Sequence, residues 1–176
     1  GRSIIIEFDF DKAWNNATSS IIRLETLPVY TIPAEMARLE KYNRGLPYLD
    51  EELIAWKNRL NETAQRGVKI KRYRVIEEPI SDYLEFEFDF WKKTINSQYV
   101  FVIDRKEYDV IVEKHSFDPN DCWIFDQKMV YRMNYSPNGI FLDGKFETDN
   151  NKVHQYQKII EEIASRAVPL DKFLRR

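Results

Sequence analysis

A chain of 176 residues with 43% hydrophobic and 14% aromatic side chains can bury enough apolar surface to fold, which excludes intrinsic disorder. The formal net charge of −2 disfavours a dedicated nucleic-acid binder, and a single cysteine excludes an internal disulfide framework. No apolar run approaches the length of a membrane span and the first residues lack a signal-peptide pattern, so we expect a cytoplasmic protein.

The amino-terminal segment has two competing patterns. Phe10, Trp14 and Ala17 recur at helical spacing and favour a short helix within residues 8–17. The alternation of Phe8 with Phe10 also permits a strand.

The next elements have clearer boundaries. A short strand is predicted over residues 20–25, and Pro33 is well placed to begin a helix that ends near Gly45. A second helix has a candidate N-cap at Asp50. Gly67 suits the position just after that helix, where a left-handed backbone conformation favours a residue without Cβ.

A strand over residues 70–76 follows this helix and is rich in cations. Arg72 and Arg74 share one face of the strand with isoleucines, and Lys71 lies on the other. Neither face is purely apolar, so one face must be wet or paired with acids. The basic run as a whole comprises Arg66, Lys69, Lys71, Arg72 and Arg74.

The segment over residues 81–95 fits both a strand and a helix. Phenylalanines alternate from Phe86 to Phe90, whereas Leu84, Phe88 and Trp91 lie on one helical stripe, and we favour the helix. Further strands are predicted over residues 99–103, 109–112, 122–126, 129–135 and 139–142, with a tight turn at Asn138-Gly139 and a final helix over residues 151–167.

These elements predict a single α+β domain over residues 4–170, with a mixed or antiparallel sheet flanked by helices. Residues 1–3 are interpreted as a cloning remnant and residues 171–176 as a carboxyl-terminal tail.

Several motifs carry a family resemblance. They are Arg23-Leu24-Glu25, Tyr30-x-Ile-Pro33, the run from Arg72 to Glu87, Asp121-x-Trp123-Ile-Phe-Asp126, and Gly139-x-Phe-Leu-Asp-Gly144. Together they resemble an uncharacterised, mostly actinobacterial family whose members are often encoded beside helix-turn-helix regulators. The resemblance covers residues 8–170 and implies no activity.

A more distant resemblance concerns the end of the second helix. The run from Arg66 to Ile70 is similar to an element of phospholipase D-like folds, whose catalytic members carry an H-x-K motif. Neither His115 nor His154 has a lysine two residues later. The resemblance therefore implies a non-catalytic version of that fold, of the kind used as a ligand-sensing or interaction domain in transcriptional regulators.

The basic run is the candidate binding surface, because clustered cations attract phosphates and acidic partners. In the competing interpretation Arg72 and Arg74 pair with nearby acids such as Glu87. Two histidines and one cysteine are too sparse for a zinc site, and no cofactor, metal or catalytic residue is predicted. The candidate ligand- or partner-binding residues are Arg66, Lys69, Lys71, Arg72, Arg74, Glu87 and Asp126.

The leading hypothesis is a non-catalytic interaction or regulatory domain that senses an anionic small ligand or an acidic protein partner in a transcription- or defence-linked context. One alternative is an enzyme acting on a phosphorylated or nucleotide-like substrate, with Arg72 and Arg74 holding the anion and Glu87 as base. A further alternative, disfavoured by the net charge, is a nucleic-acid-binding module.

Overall fold

The computed structural model describes residues 10–176, and these residues form one α+β domain. The strands are β1 (Ser20–Glu25), β2 (Lys69–Ile76), β3 (Gln98–Asp104), β4 (Asp121–Phe125), β5 (Met129–Tyr135), β6 (Phe141–Glu147) and β7 (Val168–Pro169). The helices are α1 (described over residues 10–16), α2 (Pro33–Asn43), α3 (Glu51–Gln65), α4 (Asp82–Lys92), α5 (Arg105–His115), α6 (Asn150–Arg166) and α7 (Leu170–Leu174).

The seven strands form one mixed sheet in the order β6-β5-β4-β1-β2-β3-β7. Its centre is parallel, because β1 pairs with β2 and β2 with β3 in the same direction. The remaining pairs are antiparallel, including β4 against β1 and the two-residue strand β7 against β3. Helical crossovers between the parallel strands place α2, α3 and α4 over one face of the sheet.

The helix boundaries predicted from capping residues are confirmed. Asp50 accepts a hydrogen bond from the Leu53 N–H at 2.8 Å at the start of α3, and Gly67 adopts φ +90° after its end. The segment that fits both patterns is a helix: Ser81 caps α4 by accepting from the Leu84 N–H at 3.1 Å. The helix predicted within residues 8–17 is present over residues 10–16, and Phe8 lies outside the described residues.

Two strand predictions need correction. The strand predicted over residues 109–112 is wrong, because this segment lies within α5. Asp104 caps that helix by accepting from the Lys106 N–H at 3.0 Å, and Tyr108 and Ile111, one turn apart, enter the core. The strand predicted over residues 139–142 begins two residues later, because Gly139 occupies the turn with φ +83°.

The two faces of β1 and β2 differ sharply. One face carries Ile22, Leu24, Tyr73 and Val75, which pack with α5 and α6 in an apolar core. The other face carries four charged side chains beneath α2, α3 and α4, and this set is called the charged face. Its members are Arg23, Glu25, Arg72 and Arg74. Among residues 10–176, no helix combines the length and apolar character that crossing a bilayer requires.

Candidate functional site

The charged face is created by the register of the two central strands. Arg23 of β1 lies directly beside Arg72 of β2, and Glu25 lies beside Arg74. Because side chains alternate along a strand, all four project toward the same helices. The parallel pairing thus brings two short sequence motifs, far apart in the chain, into one cluster.

A cavity of about 350 Å³ lies between the charged face and the three helices above it. We call it the arginine cavity. Its sheet side is formed by Arg23, Glu25 and Arg72, and its helical walls carry a second set of acids. The acids of the helical walls are Glu35 from α2, Glu52 from α3 and Glu87 from α4.

Arg72 is the central cation of this cavity and is only partly satisfied. Its Nη1 donates to Oε1 of Glu25 at 2.7 Å, and the side chain is 8% exposed. Its Nε is buried and meets no hydrogen-bond partner within the described residues. The guanidinium carbon lies 5.3 Å from the ring centre of Trp91 and 5.6 Å from that of Trp123. An orphaned buried N–H costs about 1–3 kcal/mol, so this group favours an added acceptor.

Arg23 is also incompletely paired. Its Nη1 donates to the Leu24 carbonyl at 2.6 Å, but its nearest carboxylate oxygens lie 3.6 Å away on Asp121 and 3.9 Å away on Glu25. Burial opposes the charged form, but Glu25 and Asp121 outweigh burial and hold the pKa of Arg23 above its ordinary value. The side chain therefore remains a cation beside Arg72.

Glu25 is the anion that holds this pair of arginines together. Burial acts to raise its pKa, but the charges of Arg72 and Arg23 outweigh burial and lower the pKa to about 2. Glu25 is therefore ionised across the physiological range, and it balances one of the two cations at the cavity.

Arg74 lies deeper, beside Glu87. Its Nη2 is 3.2 Å from Oε1 of Glu87, and its Nη1 donates to the carbonyls of Leu27 and Val75, the latter at 3.0 Å. Burial raises the pKa of Glu87 to about 8, more than Arg74 lowers it, and the nearby charge of Glu25 adds to the increase. At neutral pH Glu87 therefore largely keeps its proton, and the sheet side of the cavity carries an excess of positive charge.

Glu35 provides the helical wall with an acidic group that has no ion-pair partner within the described residues. It accepts a hydrogen bond from the Tyr83 hydroxyl at 2.9 Å and makes no ion pair with another described residue. Burial raises the pKa of Glu35 above its ordinary value. By contrast, Arg38 on the same helix is fully engaged: its Nε and Nη2 donate to the two carboxylate oxygens of Asp50 at 2.7 and 3.1 Å.

The rest of the lining is strongly aromatic. Trp91 and Phe90 are 5% and 7% exposed, so much of the wall is shielded from bulk water. An aromatic wall beside buried charges can hold both an apolar and a charged part of one small molecule. The aromatic residues of the cavity are Tyr30, Trp56, Tyr83, Phe86, Phe90, Trp91 and Tyr135.

The structure separates the basic run that the sequence presents as one surface. Arg72 lines the cavity and Arg74 lies beneath it, both buried. Lys71 lies on the opposite face, beside Tyr73, and Lys69 is exposed near the start of β2. Arg74 lies 3.2 Å from Glu87, an acid predicted to be its neighbour, whereas Arg72 pairs with Glu25 of the neighbouring strand.

Two other predicted binding residues have structural contacts outside the cavity. Arg66 donates from Nη2 to the carbonyls of Trp14 and Ala17 at 3.3 and 3.1 Å, which ties the end of α3 to the segment before β1. Asp126 accepts from consecutive backbone N–H groups, including that of Ser19 at 2.8 Å, and these bonds outweigh burial and lower its pKa. Both side chains join chain segments at the start of β1.

Most residues that line the cavity were not among the predicted binding residues. Arg23, Glu25 and Tyr30 appear in the motifs of the family resemblance, which was the available signal for them. Trp56 and Trp91 also line the cavity. Within residues 10–176 no cluster of histidine, cysteine and acidic side chains is suited to holding a metal ion.

Comparisons with known proteins place the chain in a family. Two solved structures resemble the fold, each with a TM-score of 0.47 and 12% sequence identity. One is Nuc from Salmonella typhimurium, a phospholipase D family member, with 90% of this chain and 86% of that chain covered. The other is TrmBL2, an archaeal chromatin protein, with 92% of this chain covered, and this chain spans 49% of its length. No curated protein matches the sequence. The family model described as Domain of unknown function (DUF6879) matches residues 8–175, and the chain therefore belongs to that family.

Proposed function

We propose that this domain binds a small ligand through an anionic group of that ligand, and that it acts as a non-catalytic sensing or regulatory module. The observation that carries the proposal is Arg72. This residue lines the arginine cavity, is held in place by Glu25, and has a buried Nε without a partner within the described residues.

The chemistry of the guanidinium supports an anion at this position. In arginine, the Nε–H and one Nη2–H point in the same direction and form a fork that matches the two oxygens of a carboxylate. Arg38 uses this edge to hold Asp50 at 2.7 and 3.1 Å. Arg72 donates to protein through Nη1 instead. Its Nη2 makes no hydrogen bond within the described residues and can therefore serve a ligand oxygen, with Arg23 as a second cation beside it.

The charges on the sheet side of the cavity favour a ligand with a single anionic group. The three buried arginines, Arg23, Arg72 and Arg74, are opposed by Glu25 and Asp121, while Glu87 largely keeps its proton at neutral pH. The sheet side thus offers at most one surplus positive charge. The volume of about 350 Å³ lies near the lower end of the range of about 300–1,000 Å³ that is usual for small-molecule sites.

A thermal-unfolding experiment tests this function. The protein is heated with sodium acetate, sodium phosphate or sodium 3-phenylpropionate, each against sodium chloride at equal ionic strength. We expect at least one anion to raise the midpoint saturably, by roughly 3–6 °C at a tenfold excess over its Kd.

A blocking variant and a matched control make the result specific. Leu53→Trp places a large ring at the cavity wall, whereas Ile54→Trp places the same ring at a 45% exposed neighbour that does not line the cavity. The shift should vanish in the first variant and persist in the second. Equal shifts in both variants, or no shift with any of the three anions, would contradict the proposal.

A second candidate function rests on Glu87. A carboxyl group with a pKa of about 8 inside a cavity, next to a cation, is also suited to general acid–base work on a phosphorylated substrate. Turnover of a generic phosphomonoester such as p-nitrophenyl phosphate, lost in Glu87→Gln and retained in Glu85→Gln, would favour this enzyme. Saturable anion binding without turnover favours the sensing domain.

A further inference from the structure

We propose that the ligand of the arginine cavity is a zwitterion with an aromatic ring, as in an aromatic α-amino acid. Its carboxylate would lie on Arg72, its ammonium on Glu35, and its ring against the aromatic wall that includes Trp91. This inference rests on the proposed anion binding and adds the chemical class of the ligand.

Opposite charges lie on different sides of the cavity. The sheet side has Arg23 and Arg72 with one fully ionised acid, Glu25, between them. The α2 wall has Glu35, a half-buried acid that accepts one hydrogen bond from Tyr83 and forms no ion pair with another described residue. A cation from the ligand would meet the remaining carboxylate oxygen of Glu35. A zwitterion complements both sides, whereas a simple anion complements only the sheet side.

The other carboxyl groups of the cavity already contact arginines of the protein. Glu52 already accepts from Nη2 of Arg38 at 2.7 Å, and Glu87 is shared with Arg74 at 3.2 Å. Glu25 is engaged by Arg72. Among the cavity carboxyls, Glu35 is therefore the acceptor that is best placed to take a charged donor.

The remaining wall of the cavity is aromatic. Phe86, Phe90 and Trp91 are 3%, 7% and 5% exposed, and they surround the polar groups with flat rings. Aromatic rings attract one another beyond the burial of their area, so a flat ring would interact with this wall better than a methyl group would. The aromatic wall therefore favours zwitterions that carry an aromatic ring.

A ligand series tests each part separately by isothermal titration calorimetry at pH 7. L-phenylalanine carries ring, carboxylate and ammonium, 3-phenylpropionate lacks the ammonium, and L-alanine lacks the ring. We expect L-phenylalanine to bind about tenfold or more tightly than 3-phenylpropionate, since a hydrogen bond between charged groups contributes about 1.5–3 kcal/mol. L-alanine should bind more weakly than both.

Two variants of α2 test whether Glu35 binds the ammonium group of the ligand. Glu35→Gln keeps the size of the side chain and should reduce the preference for L-phenylalanine over 3-phenylpropionate to about onefold, mainly through weaker binding of L-phenylalanine. The matched control is Glu40→Gln, an exposed acid on the same helix paired with Arg44, and it should keep the wild-type preference. Thermal unfolding of both variants verifies that they are folded.

Different results would contradict the zwitterion, the aromatic ring and the proposed anion binding. Equal binding of L-phenylalanine and 3-phenylpropionate, or a preference that survives Glu35→Gln, would overturn the zwitterion and leave the anion site standing. L-alanine binding as tightly as L-phenylalanine would overturn the aromatic ring. If the acetate, phosphate and 3-phenylpropionate of the unfolding experiment also fail to bind, the proposed function falls together with this inference.

Discussion

The two faces of the central strands use the same backbone for different purposes. On the face beneath α5 and α6, Ile22 and Val75 pack with residues such as the fully buried Ile163 in a continuous apolar core. On the charged face, Arg23 and Arg72 are also largely buried, yet they are surrounded by acids, tryptophans and a cavity of about 350 Å³.

The two faces differ in how much their buried side chains contribute to stability. Apolar burial stabilises a fold without further requirements, whereas a buried ion pair seldom stabilises more than well-packed hydrophobic residues of the same volume would. A chain that needed only stability could therefore use isoleucines on both faces. The buried arginines, one with an orphaned donor, are the groups that the proposed ligand would contact.

The largest expected effect comes from breaking the buried pair on the charged face. Arg72→Leu leaves Glu25 ionised without its closest partner, so we expect the free energy of unfolding to fall by about 3–5 kcal/mol in urea titrations. The double variant Glu25→Leu with Arg72→Leu removes both charges and should recover most of this loss. A double variant no more stable than the single one would contradict the assignment of the pair.

A smaller effect is expected from pH. Because burial raises the pKa of Glu87 from 4.5 to about 8, the native state keeps a proton that the unfolded state has already released between these values. The stability contributed by protonated Glu87 is therefore fully present below about pH 4.5 and is lost as the pH rises through about 8. The groups facing Glu87 are Arg72 and Arg74 from β2, Glu25 from β1, Glu35 from α2 and Tyr83 from its own helix.

Urea titrations from pH 5 to pH 8 measure this contribution. Relative to Glu87→Gln, which mimics the protonated acid, the wild type should lose on the order of 3 kcal/mol over this interval. Glu85→Gln, an exposed acid on the same helix, should follow the wild-type curve. A constant difference between the wild type and Glu87→Gln would show that Glu87 is ionised throughout and paired with Arg74.

The smallest expected effect belongs to the apolar face. Ile163→Val removes one buried methylene from α6 and should lower the free energy of unfolding by about 0.5–1.5 kcal/mol. Binding of 3-phenylpropionate should be unchanged, because Ile163 packs on the face opposite the cavity. A large loss of binding in this folded variant would mean that the two faces are coupled.

Local patterns predicted much of the fold and little of the site. Asp50 and Gly67 fixed the ends of α3, because capping depends on neighbouring residues alone. The β-branched run Val110-Ile111-Val112 suggested a strand, but packing of one face of α5 against the core outweighs that local preference.

The cavity depends on pairings that no local pattern contains. Arg23 meets Arg72 because β1 and β2 pair in parallel at one register, 49 residues apart in their numbering. The basic run looked like one surface because the residues are adjacent in sequence, yet strand alternation sends Lys71 and Arg72 to opposite faces. Glu35 showed no signal, since its role follows from where α2 lies above the sheet.

NMR spectroscopy of the arginine side chains is the most direct test of anion binding at the charged face. In a proton–nitrogen NMR correlation spectrum, the Nε–H signal of Arg72 should shift progressively and saturably as sodium 3-phenylpropionate is added. The Nε–H of Arg105, which donates to Glu77 at 3.3 Å and does not line the cavity, should stay in place and serves as the internal control. An unmoved Arg72 signal at concentrations where calorimetry shows saturation, or equal shifts of both signals, would contradict anion binding at the charged face.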